Sequence, residues 1–78
     1  MLMASPNPVA DVLKVELNAL NEIEAQVDLI NRSLEVVFSR KVLAKEVLIE
    51  TKTLEDGPYI LRITTNEGVK ATQIIVKH

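Results

Sequence analysis

Glu24-Ala25-Gln26-Val27-Asp28-Leu29-Ile30-Asn31-Arg32-Ser33-Leu34-Glu35-Val36-Val37-Phe38 is the stretch whose reading decides the fold. Two periods compete in it. With Leu20 and Ile23 ahead of it, the series Leu20, Ile23, Val27, Ile30, Leu34, Val37 advances by alternating steps of three and four, the apolar stripe of an amphipathic helix. Read with period two, Ala25, Val27 and Leu29 face inward, Asn31-Arg32-Ser33 turns the chain, and Leu34, Val36 and Phe38 face inward again. The two templates fit about equally. The run Val36-Val37-Phe38, β-branched and aromatic, prefers a pleated surface and leans toward strands. A helical dimerisation domain built on residues 20–37 is the competing architecture.

The flanks are less ambiguous. Leu13, Val15 and Leu17 alternate with Lys14 and Glu16, the pattern of a half-buried strand. Pro6 and Pro8 push Ser5 and Asn7 toward extended geometry and lack ladder donors, which suits an entry segment or a sheet edge. Val47, Ile49 and Thr51 alternate with Leu48 and Glu50; Tyr59, Leu61 and Ile63 alternate with Ile60, Arg62 and Thr64. The turn-rich Leu54-Glu55-Asp56-Gly57-Pro58 separates those two runs. Asn66-Glu67-Gly68 predicts a short hairpin loop with Gly68 left-handed in a G1-type bulge, followed by a last strand through Ile74-Ile75-Val76. Strands spaced this closely, without repeats or a linker, predict an all-β antiparallel sandwich in a single domain over residues 1–78.

Composition narrows the function classes. At 78 residues, folding buries little more than ~60% of the extended chain's surface. The core must be aliphatic, because Phe38 and Tyr59 are the only aromatic residues. A net charge of −2 and the lack of an aromatic platform argue against nucleic acid. With no cysteine there is neither a disulfide nor a thiolate metal site nor a cysteine nucleophile. Met1-Leu2-Met3-Ala4 lacks the basic and apolar regions of a signal peptide, and no apolar run approaches the ~20 residues of a membrane span.

Candidate chemistry is sparse. His78, the only histidine, is the last residue, where positioning is poor, and reads as an exposed end group. Glu55-Asp56 lacks the spaced acidic pattern of a calcium loop and reads as a turn. Asn31-Arg32-Ser33 matches a glycan-acceptor pattern, for which a turn is sufficient explanation. Gly57 and Gly68 stand alone, so nothing cradles a phosphate. No catalytic residue, metal site or cofactor is expected, and the chain does not read as an enzyme. Lys70 and Lys77 make the last strand basic, which fits a docking surface as well as a solvated face.

Taken in order, these elements resemble a family. Pro6-Asn7-Pro8 with Asp11 and Leu13, Gly57 with Tyr59 in Leu-x-x-Gly-x-Tyr-x-Leu-x-Ile, the Asn66 to Gly68 turn, and a final strand carrying Lys70, Ile74, Ile75, Val76 and Lys77 resemble the C-terminal sorting domain of type IX secretion system cargo from Bacteroidetes. Two positions depart from the pattern. The family's central Asp-x-x-Gly turn is here Asn31-Arg32-Ser33-Leu34, and a lysine frequent before the last apolar pair is Gln73.

The resemblance implies an immunoglobulin-like β-sandwich of about seven short strands, excised from or ending a longer precursor. It implies a cargo domain N-terminal to the sandwich, passage through the periplasm, and arrival at the outer-membrane surface or release. The implied partners are the outer-membrane translocon, its shuttle proteins and a sortase-like cysteine peptidase, with a homodimer of the isolated fragment also expected from its open edges. Recognition residues carried over by position are Pro6, Asn7, Pro8, Asp11, Gly57, Tyr59, Gly68, Lys70, Ile74, Ile75, Val76 and Lys77. The alternative to a sorting signal is a generic immunoglobulin-like interaction or adhesion module packing on its parent protein.

Overall fold

A computed structural model describes residues 3–5, 8–17 and 24–78. Seven strands form: β1 (Met3–Ser5), β2 (Val12–Glu16), β3 (Ala25–Ile30), β4 (Val36–Val42), β5 (Glu46–Glu50), β6 (Gly57–Thr65) and β7 (Gly68–Val76). No helix occurs among the described residues. They pair into a three-stranded sheet, β1-β2-β5, and a four-stranded sheet, β4-β3-β6-β7, with every strand pair antiparallel. Relative to the constant-type immunoglobulin arrangement of four strands over three, the fourth strand lies beside β3 instead of in the first sheet.

The alternation read from the sequence explains why these strands pack. Leu13, Val15 and Leu17 from β2 and its end, Val47 and Ile49 from β5, Val27 and Leu29 from β3, Leu61 and Ile63 from β6, and Ile74 and Val76 from β7 are all buried in one core. Burying each such side chain stabilises the fold by roughly 1.5–3 kcal/mol before entropy is charged against it. The core is aliphatic as expected, with Tyr59 buried in it and Phe38 partly so.

The contested stretch forms two strands. Ala25, Val27 and Leu29 face inward as the period-two reading required. Leu34 and Val36, expected inward, are exposed, because the register slips between Leu29 and Ile30: Leu29 pairs with Phe38 and Ile30 with Val36, leaving Val37 as an extra residue. Such a bulge turns the following side chains out of phase. Leu20 and Ile23 of the helical stripe lie outside the described residues.

Asn31 organises the turn between β3 and β4. Its Oδ1 accepts from the backbone N–H groups of Ser33 and Glu35, both at 2.9 Å, and its backbone carbonyl accepts from Leu34 N–H at 2.9 Å. Asn31 thus does what the family's aspartate would do. Leu34 sits where glycine is usual and adopts φ 65°, left-handed, at 82% exposure. It pays backbone strain without recovering burial.

The last hairpin departs from expectation in detail. Gly68 has φ 132°, positive but away from the left-handed helical well, and the register from Thr65↔Gly68 to Gly57↔Val76 is unbroken, so no bulge forms.

Leu34→Gly is therefore expected to stabilise the domain by about 0.5–1 kcal/mol, the left-handed strain relieved less the added freedom of glycine in the unfolded chain. Thermal unfolding checks this: the midpoint should rise by about 4 °C, and an unchanged or lower midpoint would refute the strain argument.

Candidate functional site

The N-terminal segment leaves one sheet and reaches the other. β1 pairs with β2, yet Val9, four residues beyond Ser5, forms a parallel bridge with Val76. Val9 N–H donates to the Ile75 carbonyl at 2.8 Å, and Val9 C=O accepts from Lys77 N–H at 2.9 Å. The Val9 side chain is fully buried. Immediately after it, Ala10 and Asp11 lend their carbonyls to Thr51, the first from its hydroxyl at 3.1 Å and the second from its N–H at 2.8 Å.

The loop from β5 to β6 closes the same end. Tyr59, three residues into β6, buries its ring and donates its hydroxyl to the Glu55 carbonyl at 2.7 Å. A tyrosine near the start of this strand reaching back to the loop before it is the tyrosine corner of immunoglobulin-like sandwiches. Burial, with the charges of Glu55 and Asp56, pushes the Tyr59 phenol up from its usual value. Gly57 has φ 142°, which other residues avoid, although a β-carbon there would meet no neighbour within 4 Å. Its requirement is backbone conformation, not space.

His78 is the residue the sequence reading misplaced. It is exposed, as expected of an end group, but not poorly positioned: it is fastened to this loop. Its backbone N–H and its ring Nδ1 both contact Asp56 Oδ1, at 3.1 and 2.6 Å, and Nε2 lies 3.1 Å from the Thr51 carbonyl. Both ring partners are acceptors, so only the doubly protonated ring satisfies both contacts. The Thr51 carbonyl and then Asp56 hold the His78 pKa above its usual value, while the His78 N–H and ring hold Asp56 below the usual carboxylate range. A signal existed: counting outward from the Asn66-Glu67 loop in unbroken register sets His78 beside Glu55 and Asp56.

Of the residues proposed for recognition, Pro8, Asp11, Gly57, Tyr59, Ile74, Ile75, Val76 and Lys77 therefore gather at one end of the sandwich. Gly68 and Lys70 lie at the opposite end of β7, about 27 Å from Val76 for Gly68 at the rise of an extended strand. Pro6 and Asn7 lie outside the described residues. A cleft of about 390 Å³ opens beside the gathered end, between the β3–β4 turn and the β5–β6 loop, lined among others by Arg32, Glu35, Asp56 and Tyr59. No cluster of metal-ligating side chains occurs among the described residues.

The two sheets present different outer faces. The three-stranded sheet shows Glu16, Glu46 and Glu50, together with exposed Val12 and Leu48, around Lys14, which is paired to Glu16 at 3.2 Å and Glu46 at 3.4 Å. On the four-stranded sheet Lys41 pairs with Glu24 at 3.7 Å, and a separate network centres on Asp28. Buried Asp28 accepts from Ser39 at 2.7 Å, Arg62 at 3.0 Å and Gln26 at 3.2 Å. Burial opposes the Asp28 charge, but those three donors together hold its pKa below the usual value. Around that network the face is apolar, with Val36, Ile60, Ile75 and Val69 exposed.

A family model for secretion system C-terminal sorting domains, those of the type IX system, matches residues 4–77. The chain belongs to that family. No curated protein matches it. The sorting domain is an all-β, immunoglobulin-like sandwich, and no helix among its described residues is long and apolar enough to cross a membrane.

Two measurements test this end of the domain. Tyr59→Phe should cost about 1 kcal/mol by removing the bond to the Glu55 carbonyl; chemical denaturation showing no loss would refute the corner's role. For His78, a raised pKa means its contribution is full below the ordinary value of 6.5 and is lost as pH rises through the folded value. Asp56, lowered, contributes above its ordinary 3.8 and loses it as pH falls. The melting difference between wild type and His78→Ala should therefore be greatest near about pH 5 and shrink toward about pH 9. A difference independent of pH would contradict the doubly protonated ring.

Proposed function

We propose that the sorting domain is the export address of a longer precursor: a C-terminal signal that directs cargo attached at its N-terminal side through the type IX system to the outer-membrane surface. The match to the family over residues 4–77 carries this reading. On it, the precursor crosses the periplasm, shuttle proteins and the outer-membrane translocon read the folded sandwich, and a sortase-like cysteine peptidase removes it. The domain then acts as ligand and substrate, not as catalyst.

The structure supports a division among the proposed recognition residues. Gly57 and Gly68 satisfy backbone conformations, while Tyr59, Ile74 and Val76 fill the core; changing them perturbs the fold first. The side chains of Pro8, Asp11, Lys70, Ile75 and Lys77 are exposed, so changing them perturbs the surface first. Deleting the end of β7 would not separate the two roles, because Ile74 and Val76 belong to the core. Point substitutions at the exposed positions do.

Fusing residues 1–78 to a periplasm-directed fluorescent protein, in a host with the secretion system, tests the proposal. Fluorescence is expected at the cell surface or in the medium. Retention of a folded fusion in the periplasm would sink it.

A further inference from the structure

Each open sheet edge invites another strand, and natural sandwiches blunt them. Three of the four edges here are blunted. β1 is three residues long. β5 carries Glu46 and Glu50 at its two ends. β4 contains the Val37 bulge and the adjacent charges of Arg40 and Lys41. β7 differs: it runs nine residues from Gly68 to Val76 in unbroken register and holds one charge, Lys70.

Which backbone groups face outward follows from Val9. Because the Ile75 carbonyl and Lys77 N–H point at Val9, away from β6, alternation directs the N–H and C=O of Val69, Ala71 and Gln73 outward as well. Val9 occupies the far end of that edge, and among the described residues no strand pairs with the outward side of Val69–Gln73. The side chains of those three residues share the outer face with Ile60 and Ile75, whereas Lys70 projects from the opposite face. Lys70 makes no ion pair among the described residues, unlike Lys14, Lys41 and Arg62.

We propose that the β7 edge from Val69 to Gln73 is a strand-addition site for an extended segment of another polypeptide, with apolar side chains on the outer-face side and an acidic one beside Lys70. Strand addition of this kind draws affinity from main-chain bonds and specificity from alternate side chains. A second copy fits less well. The antiparallel register that uses the whole window is centred on Ala71 and sets the two Lys70 side chains diagonally on one face, roughly 7–8 Å apart, where like charges repel. An acidic partner removes the repulsion and supplies the missing counter-charge. The inference rests on the sorting function only for the identity of the reader, not for the edge itself.

Two arms test it. In the first, isotope-labelled domain is titrated with the extended probe acetyl-Ser-Val-Glu-Val-Glu-Val-Ser-amide and with the same peptide carrying Lys for Glu. The acidic probe should protect the amides of Val69, Ala71 and Gln73 from exchange, leave Lys70 and Thr72 unchanged, and bind more tightly than the basic one. Ala71→Pro removes an outward N–H while sparing the β6–β7 ladder, and should weaken binding about tenfold or more. Should that variant fail to fold, Ala71→Glu blunts the same edge with an exposed charge of the probe's own sign and should weaken binding in the same way. No protection of the three amides, protection confined to β4, or protection that rises with protein concentration without probe would overturn the proposal.

In the second arm, wild-type and Ala71→Pro fusions are compared for export. Loss of export with the folded variant supports reading through the edge. Equal export of both overturns the edge while the sorting function stands; no export of either overturns the sorting function and leaves the first arm to decide the edge.

Discussion

Val9 is the constraint on which the sandwich depends. Its backbone spends both its donor and its acceptor on the last strand while its side chain occupies the core. One residue thereby ties the start of the chain to its end, across two sheets that share an apolar core and, at the same end, the contact of His78 with the Thr51 carbonyl. Neither Pro6 nor Pro8 competes for those bonds with a donor of its own, which is why a proline pair suits the passage from β1 to Val9. The same tie places Ala10 and Asp11 where Thr51 needs acceptors, so a fully buried threonine is satisfied by the segment that the bridge delivers. Losing the bridge would loosen the end of β7 and leave the buried Thr51 hydroxyl and N–H without the carbonyls of Ala10 and Asp11.

What the sequence made legible was the fraction of the fold governed by local alternation. β2, β5 and β6 each bury the side chains their period predicted, because each lies in regular register against its neighbours. β3 and β4 were harder for a physical reason. A bulge at Val37 breaks the two-residue period just where a four-residue turn happens to continue a three-four spacing, so a strand pair imitates a helical stripe. The turn chemistry was readable in Asn31, but the strained Leu34 obscured it. His78 was misjudged because terminal position was weighed and register was not. Its partners, Asp56 and the Thr51 carbonyl, come from a loop more than 20 residues away, and only the hairpin count brings them together.

The candidate site was legible in a different sense. The motif residues are not a set of groups converging on a ligand. Most of them answer separate demands of one fold: a crossover, a corner tyrosine, two glycines with positive φ, and a last strand whose alternate residues fill the core. A pattern of this kind identifies a family by identifying its architecture. What the architecture leaves uncommitted includes the exposed side chains of Pro8, Asp11 and Lys77, an apolar outer face whose one buried charge is already neutralised, and the edge of β7.

The face and the edge are not independent. The Asp28–Arg62 network leaves no unmet charge at the centre of the four-stranded face, so an added strand would meet a surface that costs little to desolvate. The three-stranded sheet, ringed with Glu16, Glu46 and Glu50, would charge the same partner for stripping water from several carboxylates. On the proposed strand addition, the sparsely charged edge of β7 and the apolar residues beside it favour the four-stranded side. Val9 selects the length, since by pairing with the end of β7 it confines the proposed strand-addition window to Val69–Gln73. The residue that secures the sandwich is in this way also the one that fixes where its edge stops.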